Sequence, residues 1–144
     1  MSVFTHPITV RFHHCDPAGI VFYPRYFEMF NLVIENWFEA ALDHSFKKMH
    51  YVSKFGIPTV QIEAQFHAPS FLEDVICFQI SVTKMGNSSL ALEIEGRCES
   101  ELRCSVKQTI VCVSTQSHKA RPWPDEVRSR LIKFQESTDG NHKT

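Results

Sequence analysis

The stretch that decides the fold is PRYFEMFNLVIENWFEAAL, residues 24–42, in which apolar side chains recur with the period of a helix. Its polar side chains stand three or four residues apart and form one narrow stripe: Glu28, Asn31, Glu35 and Glu39. Nearly all of its other side chains are apolar. A helix that is apolar around most of its circumference has to be enclosed by other structure. We expect it to begin at Pro24, since proline lacks the N–H that would have no partner in the first turn.

Segments with strand-like alternation lie on both sides of this helix. Residues 5–12 come before it, with Ile8, Val10 and Phe12 predicted to share one face. Four further alternating runs follow it, at residues 59–66, 75–82, 89–97 and 104–113. Successive strands joined by short turns form an antiparallel sheet, so the sequence predicts an α+β fold in which one sheet curls around the helix. The exposed edges of such a sheet favour dimerisation by continuation of the sheet.

The length of 144 residues fits a single domain, which we place at residues 1–136. Within it, residues 43–55 predict an irregular connection with a short helical turn, and Asp125 to Gln135 predict a short surface helix. Residues 137–144 are polar and predict a frayed C-terminal tail. No second domain or linker is expected.

The charge and cysteine content disfavour several classes of function. Lys and Arg number 15 and Asp and Glu 16, so no overall basic field would draw the chain to nucleic acid. No apolar run approaches the roughly 18 residues that a membrane span needs, and residues 1–10 lack the pattern of a signal peptide. The five cysteines are scattered without a CxxC pair, which is typical of free thiols in a reducing compartment. We therefore expect a cytoplasmic protein that binds neither nucleic acid nor a membrane.

The residues with the clearest chemical potential lie just before the helix. Asp16 stands between the first strand and the helix, whose first N–H groups have no partner within it and carry the positive end of its dipole. Backbone donors near Val21 to Tyr23 could hold a developing oxyanion, while an ionised Asp16 attacks a carbonyl or activates a water. The alternative is that Asp16 only closes a turn before Pro17. The residues by themselves leave both interpretations open.

The segment DPAGIVFYPRY, residues 16–26, resembles the signature of the hot-dog-fold acyl-CoA thioesterases, in particular the 4-hydroxybenzoyl-CoA thioesterase branch. The order of strand, helix and four strands is similar to that family over about residues 5–115. The resemblance implies a five-stranded antiparallel sheet wrapped around a long central helix. It also implies a homodimer with active sites at the interface, or a homotetramer made of two such dimers.

The resemblance further implies roles for individual residues of the loop. Asp16 would be the catalytic carboxylate, as nucleophile or general base, and the backbone N–H of Tyr23 would polarise the thioester carbonyl. Gly19 would let the loop backbone approach the substrate closely. Val21 and Phe22 would complete the substrate-binding part of this loop.

In that family the strand after the helix lines the acyl pocket, which here corresponds to residues 57–63. Thr59 and Gln61 are therefore candidate substrate-binding residues. The alternative for Gln61, together with Glu63 and Gln65, is a stripe that faces solvent.

Several other side chains offer alternative chemistry. A zinc site at His13, His14 and Cys15 is disfavoured because no second pair of ligands stands at a recognisable spacing. A Cys15–His14 nucleophile is disfavoured because neighbours on a strand point to opposite faces. His13 or His14 lying near Asp16 and tuning its charge stays open. The basic side chains that could meet the phosphates of CoA, or simply be solvated, are Lys84, Lys119 and Arg121.

The function predicted from the sequence is that of an acyl-CoA thioesterase, which hydrolyses an acyl- or aroyl-CoA, such as a 4-hydroxybenzoyl-CoA-like substrate, to a carboxylate and free CoA. Its partner is the acyl-CoA substrate, and no cofactor or metal is expected. Two alternatives remain open: a non-enzymatic module that binds acyl-CoA or acyl carrier protein, and a hydratase or dehydratase on the same fold. The second usually pairs a His with an acidic residue across the site, and no such pair is evident.

Overall fold

A computed structural model of the chain describes the backbone of residues 4–142 and the side chains of residues 4–135. Its elements in chain order are β1 (Phe4–Thr9), a 3-10 turn (Phe12–His14), α1 (Tyr23–Ala40), α2 (Phe46–Lys48), a π-helical turn (Met49–Ser53), β2 (Phe55–Gly56), β3 (Thr59–Phe66), β4 (Val75–Met85), β5 (Ser89–Cys98), β6 (Glu101–Val111), β7 (Val113–Ser114) and α3 (Asp125–His142). None of the helices in the described part of the chain is long and apolar enough to span a membrane.

The five long strands form one antiparallel sheet in the order β1-β4-β5-β6-β3, so β1 and β3 are its two edges. A separate two-stranded ladder joins β2 and β7. The predicted α+β fold with a five-stranded antiparallel sheet is confirmed. So is the irregular connection with a helical turn between α1 and β2.

The core lies between α1 and one face of this sheet, called the inner face, which carries Phe78 of β4, Leu92 of β5 and Val106 of β6. The ring of Phe30 in α1 meets that of Phe78 with centroids 6.1 Å apart. Burying each large apolar side chain contributes roughly 1.5–3 kcal/mol to folding. All four members of the polar stripe are exposed, as the pattern predicted: Glu28, Asn31, Glu35 and Glu39.

The first strand is shorter than predicted. It ends at Thr9, and Phe12 lies in the 3-10 turn with 84% of its surface exposed, so the prediction that Phe12 shares the buried face of Val10 is wrong. The chain leaves the sheet at Val10, whose N–H donates to the carbonyl of Asp74 at 2.8 Å. The N–H of His14 then donates to the carbonyl of Arg11 at 2.9 Å, which turns the chain toward α1.

The C-terminal helix is longer and more buried than predicted. α3 runs to His142 instead of ending near Gln135, so the predicted tail is helical up to that residue, and residues 143–144 lie outside the described part. One face of α3 carries Val127, Leu131 and Phe134, all buried. Phe134 packs edge-on against Trp37 of α1 with ring centroids 5.2 Å apart. α3 therefore closes the core at the C-terminal end of α1 and is not a surface helix.

A buried histidine joins α3 to the connection that follows α1. His44 is fully buried; its Nε2 lies 2.8 Å from the hydroxyl of Ser53, and its Nδ1 lies 3.6 Å from a carboxylate oxygen of Glu126. Burial, reinforced by the charge of Lys48, lowers the pKa of His44 below its ordinary value. The folded protein therefore holds this imidazole neutral at a pH where the unfolded chain would protonate it.

We predict that this histidine makes the protein less stable in mild acid. As the pH falls below about 6.5, the unfolded chain takes up a proton at His44 that the folded chain resists, which lowers the free energy of unfolding by up to about 1.4 kcal/mol per pH unit. In His44→Asn, the free energy of unfolding should fall less steeply with decreasing pH than in wild type. In His118→Asn, which changes an exposed histidine, it should fall as steeply as in wild type. Urea unfolding between pH 8 and pH 5 measures the free energy of unfolding. The same dependence on pH in wild type and His44→Asn would contradict the prediction.

Candidate active site

The loop that carries Asp16 is a tight turn with a defined backbone. The N–H of Asp16 donates to the carbonyl of Ile20 at 3.0 Å, and the N–H of Gly19 donates back to the carbonyl of Asp16 at 2.9 Å. Gly19 has a φ of 84°, a left-handed conformation that glycine adopts without the penalty a side chain imposes. At Gly19, the exposed tip of the turn therefore carries no side chain that would block access to its backbone.

The carboxylate of Asp16 has one oxygen engaged in this turn. Oδ1 accepts the N–H of Ala18 at 2.9 Å, so the turn-closing role considered for Asp16 does occur. Oδ2 has no hydrogen-bond partner among the described residues. The side chain is only partly buried. One oxygen orients the carboxylate, and the other is left for a ligand.

The start of α1 offers one free backbone donor. The N–H of Val21 donates to the carbonyl of Ser70, and the N–H of Phe22 donates to the carbonyl of His14, both at 2.9 Å. The N–H of Tyr23 has no acceptor within the described part of the chain, and the next residue, Pro24, has no N–H. The sequence predicted donors near Val21 to Tyr23, and the structure leaves the N–H of Tyr23 for a ligand. α1 begins at this residue, one position before the predicted start.

A cavity of about 300 Å³ opens beside this helix end. It is lined by Ile20, Val21, Tyr23, Tyr26, Phe66, His67, Ala68 and Pro69. Two of the rings that line it are unusually exposed, Tyr23 at 60% and Phe66 at 42%. An exposed apolar cluster of this kind is typical of a ligand or protein interface. Val21 is buried and lines the cavity, whereas Phe22 is 46% exposed and is not part of its lining.

The loop opposite α1 is held by a buried polar network centred on Ser70. Its hydroxyl accepts the O–H of Tyr26 at 2.8 Å and Nη1 of Arg103 at 3.1 Å. The same Nη1 donates to Asp74 at 2.8 Å, and the carbonyl of Arg103 accepts the N–H of His67 at 2.8 Å. Since the carbonyl of Ser70 accepts the N–H of Val21, this network fixes both walls of the cavity.

The electrostatics of the network favour the ionised form of Asp74 beside the guanidinium of Arg103. The Arg103 guanidinium, helped by the N–H of Phe71, holds the pKa of Asp74 below its usual range. Burial raises the pKa of Tyr26, so its phenol stays protonated and donates to Ser70. These groups are hydrogen-bonded mainly to one another, which favours a structural role.

Of the two histidines that precede Asp16 closely in sequence, His14 is hydrogen-bonded to the backbone. Nδ1 of His14 accepts the N–H of Arg11 at 2.8 Å, and its ring lies 4.0 Å from that of His13. Burial and the neighbouring His13 lower the pKa of His14. The charged groups that influence it most are His13, Glu28 and Arg25. No group of three or more His, Cys, Asp and Glu side chains in the described residues is placed to hold a metal ion.

The two candidates on β3 are separated by a bulge. β3 shifts register against β6 between Thr59 and Gln61, so Thr59 pairs with Ile110 and Gln61 with Thr109. The hydroxyl of Thr59 consequently meets the inner face, where it accepts Nε2 of Gln108 at 2.8 Å. Gln61 is exposed on the other face. The strict alternation predicted over residues 59–66 breaks here, and Gln108 was not among the candidates.

Of the basic candidates for CoA phosphates, Lys84 and Lys119 are exposed. Arg121 is half-buried, and its Nη1 donates to the carbonyl of Ser53 at 3.1 Å. Its guanidinium lies over the ring of Phe55, 5.8 Å from the centroid. Because Arg121 contacts other residues of the fold, it is a weaker candidate for binding a CoA phosphate.

Comparison with known proteins agrees with this geometry. A family model described as the thioesterase-like superfamily matches residues 10–131. The chain belongs to this superfamily. The family predicted by the residues 16–26 is therefore confirmed, as is the hot-dog fold, and the chain is a thioester hydrolase at the level of its family.

Relatives of this superfamily member act on aromatic CoA thioesters. The 1,4-dihydroxy-2-naphthoyl-CoA hydrolase of Synechocystis sp. is 25% identical over 134 residues, which cover 91% of this chain and 96% of the relative. The crystal structure of a 1,4-dihydroxy-2-naphthoyl-CoA thioesterase from Synechocystis matches with a TM-score of 0.83 at 20% identity, covering 92% of this chain and 98% of that one. A gentisyl-coenzyme A thioesterase matches with a TM-score of 0.78 at 25% identity, covering 89% and 99%.

Sequence reasoning missed the residues that hold the site from behind. Ser70 and Arg103 are distant in sequence from the loop of Asp16, and neither belongs to a motif. In the sequence of β6, Gln108 stands out as a polar residue at a position where the alternation predicts an apolar one. Arg103 has no such signal. Their proximity depends on the pairing of distant strands.

We predict that the ion pair behind the site stabilises the fold. Asp74→Asn leaves Arg103, which is 11% exposed, with only the more exposed carboxylate of Glu101 as an ionic partner, and should lower the free energy of unfolding by about 1–3 kcal/mol at pH 7. Because the folded pKa of Asp74 is lowered, this contribution is fully present above the ordinary carboxyl pKa of about 3.9 and is lost as the pH falls from that value through the lower pKa of the folded protein. The gap between variant and wild type should therefore close in acid.

Urea unfolding at pH 7 and below pH 4 measures this gap. Glu73→Gln, at the exposed neighbouring position, is the matched control and should change stability by less than about 0.5 kcal/mol. Equal stabilities of Asp74→Asn and Glu73→Gln at pH 7 would show that the ion pair does not stabilise the loop.

Proposed function

We propose that this protein is an acyl-CoA thioesterase in which Asp16 and the backbone N–H of Tyr23 act on the two sides of the thioester carbonyl. The observation that carries the proposal is a carboxylate with one unpaired oxygen in the same short loop as a helix start with one unpaired N–H. The backbone of Asp16 is hydrogen-bonded to Ile20, which lines the cavity together with Tyr23. The positive end of the dipole of α1 favours the negative charge that develops on the carbonyl oxygen.

In the proposed reaction the carbonyl oxygen accepts the N–H of Tyr23. The free oxygen of Asp16 then attacks the carbonyl carbon, or removes a proton from a water that attacks it. The C–S bond breaks and CoA leaves as a thiolate that takes up a proton. By the first route water hydrolyses a mixed anhydride, and by the second the carboxylate product forms directly. Acylation of Asp16, sought by mass spectrometry during a single turnover, distinguishes the two.

The substrate we propose is an aroyl-CoA, preferably with a hydroxylated ring. The cavity beside Tyr23 has apolar and aromatic walls that suit a flat ring. The relatives that carry this argument are named for 1,4-dihydroxy-2-naphthoyl-CoA and gentisyl-CoA. A 4-hydroxybenzoyl-CoA-like substrate belongs to the same chemical class. Gly19, Val21 and Phe22 border the bound thioester in this proposal, and a cytoplasmic location remains a prediction.

We predict that hydrolysis depends on Asp16. Asp16→Asn keeps the shape of the side chain and an acceptor for the N–H of Ala18, but removes the nucleophile or base, so kcat should fall by about 10²–10⁴. Thiol release from a panel of aromatic and aliphatic acyl-CoAs measures it. Asp43→Asn is the control, since Asp43 is exposed and its positive φ of 51° tolerates asparagine.

CoA-thioester binding by the same proteins separates the rival interpretations. A thioesterase binds substrate with Asp16→Asn and loses turnover. Binding without turnover in wild type would favour the non-enzymatic module, and hydration of an enoyl-CoA would favour the hydratase. Hydrolysis that survives Asp16→Asn unchanged would remove Asp16 from the mechanism.

A second copy of the chain completes this site in our proposal, through the edge strand β3. β3 has no Lys, Arg or Pro, and its apolar side chains are exposed, with Val60 at 62% and Phe66 at 42%. The other edge, β1, contains Pro7, which cannot donate to a neighbouring strand. An unprotected, apolar edge strand pairs readily with another strand. The homodimer is the minimal unit, and a tetramer of two dimers remains a prediction.

We predict that a charge in the middle of β3 prevents this dimer. Ile62→Lys places an ammonium group where two strands would bury it, so it should yield a monomer with little activity. Ile132→Lys on α3 is a closely matched control, because Ile132 is 38% exposed and Ile62 39%. Light scattering after size-exclusion chromatography gives the mass. A dimeric Ile62→Lys protein would exclude β3 as the interface.

A further inference from the structure

A second cavity lies farther along α1, between this helix and the start of β3. It measures about 200 Å³ and is lined by Asn31, Ile34, Phe46, Ile57, Thr59, Gln108 and Ile110. An apolar cavity of about 150 Å³ holds a benzene molecule. This cavity therefore has room for one aromatic ring with a substituent, and most of its lining is apolar.

Gln108 places an unusual group in this lining. Its side chain is 3% exposed, and Nε2 donates to the hydroxyl of Thr59 at 2.8 Å, but Oε1 has no partner among the residues that the structure describes. The other inner-facing residues of β6 are apolar, as Val106 and Ile110 are. A buried acceptor without a donor is costly and rare in native proteins. An acceptor of this kind in the wall of a ligand-sized cavity suits a ligand that carries a hydrogen-bond donor.

The distance along the helix separates this cavity from the Asp16 of its own chain. Asn31 comes eight residues after Tyr23, which corresponds to about 12 Å along α1. Thr59 is the first residue of β3, whereas Phe66, whose ring lies 6.4 Å from that of Tyr23, is the last. The two cavities thus lie near opposite ends of β3.

Pairing of two β3 strands about a twofold axis brings the two cavities together. Antiparallel copies of one strand run in opposite directions, so the start of one lies beside the end of the other. The partner's Thr59 and the partner's Gln108 then lie next to Phe66, and hence next to Tyr23 and the thioester. A ring attached to the carbonyl at Asp16 extends toward the partner's cavity.

We infer that Gln108 is a specificity-determining residue, and that the partner's Gln108 accepts a hydrogen bond from a hydroxyl on the acyl ring whose thioester lies between Asp16 and Tyr23. This inference rests on the proposed function and on pairing through β3. Thr59 orients the amide by accepting its Nε2, so that Oε1 faces the ring. An unsubstituted ring leaves Oε1 unpaired and is bound less well.

The test compares benzoyl-CoA with its 2-, 3- and 4-hydroxy derivatives and the corresponding methoxy derivatives, which keep the oxygen but cannot donate. For wild type, kcat/KM should be highest for one hydroxy isomer, and its methoxy analogue should behave no better than benzoyl-CoA. Gln108→Met, nearly equal in volume, should reduce the preference for that isomer over benzoyl-CoA by about tenfold to hundredfold. The kcat/KM for benzoyl-CoA should rise, because the methionine removes the acceptor that an unsubstituted ring leaves unpaired.

Gln79→Met is the matched control, because Gln79 is exposed on the other face of β4, and it should keep the wild-type preference. Gln108→Met should also have a melting temperature at least equal to that of wild type, since it removes a buried acceptor that lacks a partner. A residue needed only for folding would instead lower the melting temperature and reduce both rates together. That outcome, or a wild type without preference for any hydroxy isomer, would overturn the inference.

Mixed dimers test whether Gln108 acts across the interface. Asp16→Asn and Gln108→Met chains with different affinity tags are co-expressed, and the heterodimer is purified through both tags. It contains one intact Asp16 facing a partner with an intact Gln108, so the preference for the hydroxylated ring should return to the wild-type value. If the heterodimer keeps the reduced preference of Gln108→Met, Gln108 acts within its own chain and the assignment to the partner is wrong.

Failure of the proposed function is distinguishable from failure of this inference. If wild type hydrolyses none of the thioesters, titration calorimetry of the same set still gives the ratio of Kd values for hydroxylated and plain rings, with and without Gln108. A ratio that depends on Gln108 supports the specificity role without the hydrolase. A ratio that does not depend on Gln108, with turnover intact, leaves the thioesterase in place and removes Gln108 from recognition.

Discussion

The enclosure of α1 by the sheet is the constraint on which the rest of the structure depends. Seven of its side chains are buried, from Tyr26 near the start to Phe38 near the end, so the helix is stable only with the inner face of the sheet around it. Phe30 against Phe78 is one contact of this kind. Once α1 is held there, its N-terminus has a fixed position beside the loop of Asp16 and the loop of Ser70. The free N–H of Tyr23 is thus positioned by the hydrophobic core.

Two groups of buried polar residues, one around Ser70 and one at Gln108, differ in how far their hydrogen bonds are satisfied. Around Ser70, the hydroxyl of Tyr26 and the guanidinium of Arg103 both donate to the Ser70 hydroxyl, and Arg103 also donates to Asp74. Such a network makes the two walls of the first cavity rigid. Gln108 is also buried on β6, but one of its two polar atoms is unpaired. A satisfied network serves the fold, whereas an unsatisfied acceptor at a cavity costs stability that a ligand recovers.

The edge strand β3 links these two parts. It carries Phe66 at one cavity and Thr59 at the other, and its outer edge is unpaired in the described chain. In a single chain the two cavities are separate openings near opposite ends of one strand. The twofold pairing of β3 that we propose would make them neighbours, which would give dimerisation a direct role in the proposed active site. It would also bury the exposed apolar side chains of this edge.

The sequence by itself determined the fold class, the central helix, most of the strands and the position of Asp16 beside a helix start. These features depend on periodicity and on neighbours along the chain, which a sequence states directly. The sequence also pointed to the family, because the residues 16–26 form one continuous motif. The tertiary structure alone decided which donor is free, since Ser70 and His14 take the N–H groups of Val21 and Phe22. It also decided that a bulge turns Thr59 toward Gln108, and that α3 closes the core. These depend on contacts between residues 8 to 97 positions apart, whose pairing is set by the packing of whole elements and not by any local pattern.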